Sequence, residues 1–222
     1  MNILILGASR GIGLEFVRQY REANHTVTAT ARDAEGLARI EALGAKPLKL
    51  DVTDPASISG LGWQLDGEKI DLALYVAGVM ARGDARQAPS RDDFDRVMRT
   101  NVWGAMQAVV LVAPLVEAAQ GQFVFIGSQM GHIAGVDSSY SWVYRASKAA
   151  LNMAVAAAQP DYPKASFAVL SPGWVQTDMG GANATLTVDA SVEWLLHTIA
   201  KLPRQHRHVP FTDFDGSPFK GW

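Results

Sequence analysis

A short apolar run, Asn2–Leu6, passes straight into Gly7-Ala8-Ser9-Arg10-Gly11-Ile12-Gly13, and a helical pattern over Ile12–Ala23 follows without a break. That junction constrains the fold more than any other feature of the chain. Glycine in the turn admits backbone angles closed to other residues and lets another group come close to the main chain. The helix that starts there turns unpaired N–H groups and its positive dipole end toward whatever lies beyond the strand. The spacing is G-x-x-x-G-x-G, not the commoner G-x-G-x-x-G. Two readings stand at this point: a phosphate-binding turn, or a tight strand–helix connection with no ligand.

The rest of the chain repeats the strand–helix rhythm. Thr26–Ala31, Lys46–Leu50, Ile70–Val76, Gln122–Gly127, Ala165–Ser171 and His208–Thr212 read as strands. Ala34–Leu43, Pro55–Gln64, Asp92–Ala119, Val143–Gln159 and Val188–Leu202 read as helices. Asp33 and Asp54 stand at two of the helix starts as N-caps, and Pro55 occupies a first helical position. Such alternation predicts α/β architecture: one doubly wound domain over residues 1–222, with a parallel sheet and helices on both faces. The chain has no internal repeat, linker or low-complexity tract. At the first strand of such a sheet, the phosphate-binding reading of the glycine turn gains weight.

Composition narrows the partners. Lys and Arg number 20 against 22 Asp and Glu, and the net charge of −2 gives no electrostatic case for nucleic acid or an anionic membrane. There is no cysteine, so disulfides, thiolate nucleophiles and cysteine metal sites are excluded. His25, His132, His197, His206 and His208 have no ligand spacing, and no metal is expected. The N-terminal MNILILG lacks the basic region of a signal peptide, and Val102–Val116 reads as too short and interrupted to span a bilayer. A soluble, cytoplasmic protein is expected.

Chemistry concentrates late in the chain. Tyr144 and Lys148 lie four residues apart at the start of a helix, so phenol and ammonium share one face. A free phenol, with a pKa of about 10, exchanges protons poorly at neutral pH, and a nearby cation should lower it. An ordinary surface Tyr and Lys would give the same spacing. Ser128 ends a strand, where ligands sit in doubly wound sheets, and its hydroxyl can donate to an oxygen that gains charge. Ser138, Ser139 and Ser141 lie farther from the strand end.

Taken in order, these residues resemble the short-chain dehydrogenase/reductase family over nearly the whole chain. The glycine motif matches at Gly7, Gly11 and Gly13, Asp51-Val52 at the pair that contacts adenine, and Asn101-Val102-Trp103-Gly104 at the motif whose Asn bends a helix and holds a proton-relay water. Ser128, Tyr144 and Lys148 match the rest of the catalytic tetrad. Ser171-Pro172-Gly173-Trp174-Val175-Gln176-Thr177 matches the segment that closes on the nicotinamide. Residues 144–152 and 172–181 resemble the short C-factor-like and sniffer-like carbonyl reductases in particular. Two features depart from the pattern. Tyr75-Val76-Ala77-Gly78 stands where the family has Asn-Asn-Ala-Gly, and Ser128 lies farther from Tyr144 than usual, which implies a longer substrate loop.

The resemblance implies a Rossmann-type domain, a nicotinamide cofactor, and hydride transfer between that cofactor and the carbonyl of a small aldehyde or ketone. Tyr144 would give the proton, Ser128 hold the oxygen, Lys148 tune the phenol and bind ribose, and Asn101 support a water chain. Ser9, Arg10, Ile12, Ala77, Gly78, Pro172, Gly173, Val175 and Thr177 join the expected cofactor contacts. The second strand ends in Ala31 followed by Arg32, where an NAD-preferring relative presents an acid. Arg32 and Arg10 therefore predict NADP(H) over NAD(H), with Asp33 read as a helix cap. Met80, Met130, Ile133, Trp142, Trp174 and Met179 are expected to flank an apolar substrate pocket, and the short stretch from Thr177 to Val188 implies a small lid. The helical segments around 92–119 and 144–155 predict a homodimer. A nucleotide-binding signalling protein on the same fold is the alternative. A sugar-nucleotide epimerase would need a larger C-terminal domain.

Overall fold

The computed structural model describes residues 1–204 and 208–222, so His206 lies outside the described residues. Strands β1 (Asn2–Leu6), β2 (Thr26–Ala31), β3 (Lys46–Lys49), β4 (Leu72–Tyr75), β5 (Gln122–Ile126), β6 (Ser166–Leu170) and β7 (Phe211–Thr212) alternate with helices. The helices are α1 (Gly11–Glu22), α2 (Ala34–Ala42), α3 (Pro55–Gln64), α4 (Arg91–Met98), α5 (Gly104–Ala118), α6 (Trp142–Ala158) and α7 (Val188–Lys201). All strand pairs are parallel, in the order β3-β2-β1-β4-β5-β6-β7. This is the expected doubly wound, Rossmann-type fold. Chain direction across the sheet reverses between β1 and β4, which opens a crevice beyond their carboxyl ends.

The two faces of β1 explain the layers. Ile3 and Ile5 pack with Phe16 and Val17 of α1, Ile40 of α2 and Leu195 of α7. Leu4 and Leu6 pack with Leu61 of α3, Val112 of α5 and Leu151 of α6. A strand buried on both faces reads as a continuous apolar run, as Ile3-Leu4-Ile5-Leu6 does. Asp33 caps α2 by accepting from the Gly36 N–H at 2.7 Å, and Asp54 caps α3 by accepting from Ala56 at 3.0 Å.

The structure departs from the sequence reading in several places. The helix expected over Asp92–Ala119 is broken by a wide π turn at Arg99–Trp103. Residues Arg91–Ala118 nonetheless run as 28 helical residues, and an 18-residue stretch within them has a mean hydropathy of 1.4, long and apolar enough by length and composition alone to cross a membrane. The sequence reading took the apolar stretch alone as too short. Its apolar side supplies the sheet core, through Ala105, Ala108, Val112 and Val116. Tyr75, in place of the family's Asn, is buried, and its hydroxyl donates at 2.7 Å to the Thr100 carbonyl inside the π turn. It thus bonds the sheet to the helix opposite. The last strand starts at Phe211 rather than His208, although the Pro210 carbonyl still accepts from the Val169 N–H at 2.9 Å. Between Ser128 and α6 the loop carries two 3₁₀ turns, Gln129–Gly131 and Ile133–Gly135.

Candidate active site

The crevice is a cleft of about 470 Å³ lined from β1, β2, β4, β5 and α6. Its floor is the glycine turn. Gly7 has φ +94°, and a Cβ there would lie 2.6 Å from the Ala77 nitrogen. A Cβ at Gly13 would lie 2.1 Å from the Gly7 carbonyl oxygen. Both glycines are therefore dictated by close backbone approach. No side chain caps the N-terminus of α1, so its first N–H groups remain open to an anion. The Gly7 N–H donates to the Thr30 hydroxyl at 3.0 Å, which fastens the turn to β2. Thr30 escaped the sequence reading. Its signal was a hydroxyl in an otherwise apolar strand end.

Ser9, Arg10, Gly11, Ile12, Arg32, Asp51, Val52, Ala77, Gly78, Pro172 and Thr177 also line the cleft. Gly173 and Val175 stand behind its wall: Gly173 backs onto Leu186 and Phe214, and Val175 is buried beside Leu186. Asp33 is turned away to its cap at Gly36. Arg10 forms a 2.9 Å ion pair with Asp178, both largely exposed, so it bridges the cleft mouth to the stretch after Thr177. Arg32 is exposed at the end of β2 and forms no ion pair among the described residues.

Tyr144 and Lys148 line the cleft; Ser128 stands beside Tyr144, and Asn101 lies buried behind Gly78, neither of them in the cleft lining. The Lys148 ammonium lies 5.7 Å from the centre of the Tyr144 ring and donates at 2.7 Å to the Ile126 carbonyl. Gly78 fills the space between: a methyl built on it would lie 3.5 Å from Asn101 Oδ1 and 3.6 Å from Lys148 Nζ. Asn101 is fully buried. Its Oδ1 accepts from the Val79 N–H at 2.8 Å, and its Nδ2 donates to the Val79 carbonyl and the Ser147 hydroxyl, both at 2.9 Å. Ser147 in turn donates to the Tyr144 carbonyl at 2.7 Å. The π turn is thereby clamped to the β4 exit and to α6. Ser147 is a second residue the sequence reading left without a role, although it lies three positions from Tyr144 on the same helical side.

Burial dominates the titration of the pair. It pushes the Tyr144 phenol up to about 12, with the neighbouring Ser128 hydroxyl pulling the other way. It pushes the Lys148 ammonium down to about 8. The sequence reading expected Lys148 to lower the phenol. The direction is reversed because desolvation penalises the phenolate more than its neighbours repay. Of the six apolar residues expected around the substrate, Met179 lines the cleft, while Ile133, Trp142 and Trp174 are exposed outside it. Among the described residues, no group of three or more His, Asp or Glu side chains is placed to hold a metal.

Comparison with known proteins agrees with this geometry. The short chain dehydrogenase family profile matches residues 1–187. The chain is 36% identical to C-signal of Myxococcus xanthus over 155 residues, 67% of this chain and 90% of that protein. It superposes on a short-chain dehydrogenase/reductase from Burkholderia multivorans with bound NADP, with a TM-score of 0.89 and 29% identity, over 100% of this chain and 99% of that one. It superposes equally fully on the carbonyl reductase Sniffer of D. melanogaster, with a TM-score of 0.91, 26% identity and coverage of 100% and 99%. The chain belongs to the short-chain dehydrogenase/reductase family. It is an oxidoreductase that works with a nicotinamide nucleotide on small-molecule substrates.

Proposed function

We propose that the chain reduces the carbonyl group of small aldehydes and ketones, and oxidises the corresponding alcohols in reverse, with NADP(H) preferred over NAD(H). The observation that carries this reading is the pairing of Tyr144 and Lys148 in a cleft floored by the glycine turn, with Ser128 beside Tyr144. That cleft fits a dinucleotide: close-packed glycines and an uncapped helix start for the diphosphate, Asp51-Val52 for the adenine, and Lys148 for the nicotinamide ribose. The cofactor would supply the hydride.

The side chains do the rest. Tyr144, protonated at neutral pH because burial holds its pKa at about 12, donates its proton to the substrate oxygen. Ser128, beside that phenol, holds the same oxygen as negative charge develops on it. Lys148, with a pKa near 8, takes up and returns protons close to neutral pH. Both amide hydrogens of the Asn101 side chain are committed to Val79 and Ser147, so its side chain acts by positioning the Gly78 wall and α6.

The preference for NADP(H) rests on Arg32, which is exposed at the end of β2 and unpaired among the described residues, and on Asp33 being engaged as a cap where a ribose-binding acid would otherwise point. Arg10 offers a second guanidinium once it leaves Asp178. We further propose a cytoplasmic homodimer paired through α5 and α6, where Met106, Val110 and Met153 are exposed. The likeness to C-signal keeps a second reading open, a nucleotide-binding signalling protein on this fold. One experiment separates them: oxidation of NADPH with a panel of aldehydes and ketones. Turnover supports the reductase. Tight NADPH binding with no turnover of any carbonyl supports the signalling reading.

A further inference from the structure

Beyond β7 the chain turns back on itself. Thr212 pairs antiparallel with Pro218, the Asp213 N–H donates to the Ser217 carbonyl at 2.8 Å, and the Phe219 N–H to the Phe211 carbonyl at 3.1 Å. This return covers the sheet edge that β7 would otherwise leave open. It also brings residues 219–222 onto the segment that follows Ser128. The Trp222 ring stacks on Phe211 at 5.7 Å with an interplanar angle of 13°, and Phe219 stacks on Phe211 at 4.4 Å.

The contacts across to the Ser128 segment are polar and specific. The Trp222 carbonyl accepts from the Ile133 N–H at 3.1 Å and from Ala134 at 3.3 Å. His132 Nε2 lies 2.9 Å from the Lys220 carbonyl oxygen. A carbonyl can only accept, so this nitrogen carries the proton. The imidazole also lies 5.1 Å from the Phe219 ring. On its opposite side the same segment is pressed against α6. A methyl on Gly131 would lie 2.8 Å from the Lys148 carbonyl carbon, and Asn152 Nδ2 donates to the Gly131 carbonyl at 3.4 Å. The segment is anchored at its start by Ser128, whose hydroxyl accepts from the Met130 N–H at 3.1 Å.

We propose that residues 217–222 are a strap that positions Ser128, with Trp222 as its anchor and His132 as its second tie. Ser128 stands at the head of a segment gripped between α6 and the strap, and α6 carries the phenol that Ser128 must meet. The strap therefore fixes the distance between the two hydroxyls that share the substrate oxygen. A displacement of about 1 Å in such a pair can slow a reaction about a hundredfold. Trp222 and His132 are positioning residues, since neither lines the cofactor cleft. The inference rests on the carbonyl-reductase reading, and its test has an arm that does not.

That arm is amide hydrogen exchange of the ligand-free protein. In Trp222→Ala, exchange at Ile133 and Ala134 should quicken by about tenfold or more, the loss of one ordinary hydrogen bond's worth of protection, with α6 unchanged. In Trp222→Phe, which keeps a stacking ring, protection should return. With a carbonyl substrate of the wild type, Trp222→Ala should lower kcat/KM for the carbonyl by about tenfold or more and leave NADPH affinity unaltered, and Trp222→Phe should restore it. Should Trp222→Ala fail to fold, His132→Ala, which removes the tie to Lys220 and the ring contact with Phe219, carries the same measurements. Unchanged exchange at Ile133 and Ala134 overturns the strap, whatever the chain's activity. Faster exchange with unchanged kcat/KM overturns its role in positioning Ser128. A wild type inert toward every carbonyl refutes the proposed function instead, and exchange then decides the strap alone.

Discussion

Lys148→Met tests whether the ammonium beside Tyr144 is as desolvated as its surroundings imply. Lys148 is 3% exposed, and its ammonium donates to the Ile126 carbonyl at 2.7 Å. Burial lowers its pKa from 10.5 to about 8. Between those values the unfolded chain holds a proton that the folded chain has released. Stability contributed by this residue therefore rises with pH across the window from about 8 to 10.5, and is lowest below it. At roughly 1.4 kcal/mol per unit, the swing is about 3 kcal/mol. Methionine occupies similar volume and does not titrate. The stability of the wild type relative to Lys148→Met should then climb by about 3 kcal/mol from pH 7 to pH 10.5. Buried phenols act oppositely. Tyr144, Tyr20 and Tyr75 are all pushed up, so their contribution is full below about pH 10 and lost as pH rises further. They are common to both proteins and cancel in the difference. The assay is urea unfolding of ligand-free protein, followed by tryptophan fluorescence, in pH steps at constant ionic strength. A difference that stays flat with pH would refute the desolvation argument.

Asn101→Ala should destabilise the fold by about 2–4 kcal/mol, because it strands the Val79 N–H and carbonyl in a buried site, as a shifted urea midpoint will report. Arg32→Ala should weaken NADPH binding about tenfold or more and leave NADH nearly untouched, by the loss of a charge-assisted hydrogen bond. Equal loss for both cofactors in a titration would detach Arg32 from the 2′-phosphate. Light scattering should give the mass of a dimer at micromolar concentration. Met153→Asp, which buries a carboxylate if α6 is the interface, should shift it to monomer.

The fold was legible because its signals are local. Ile3-Leu4-Ile5-Leu6 running into Gly7 demanded a buried strand and a tight turn, and Asp33 and Asp54 marked helix starts that the structure keeps. The cleft walls followed from the same motifs. What escaped depends on contacts between distant segments. Nothing near Thr100 announces that Tyr75 will bond its carbonyl, and nothing near Ser147 announces Asn101. The direction of the Tyr144 shift was misread for a related reason: the i, i+4 spacing reveals the neighbouring charge but not the depth of burial, and here burial is the larger effect. The last strand, read over His208–Thr212, is confined to Phe211–Thr212.

The central claim is that Tyr144 hands a proton to a carbonyl oxygen held by Ser128. Tyr144→Phe removes the phenolic oxygen and keeps the ring. The measurement is kcat for NADPH oxidation with the best carbonyl substrate, alongside NADPH affinity by fluorescence titration, for wild type and variant. The account predicts a fall in kcat of about 10²–10⁴-fold, the usual contribution of a positioned general acid, with cofactor affinity unchanged. A variant that turns over at close to the wild-type rate would contradict it.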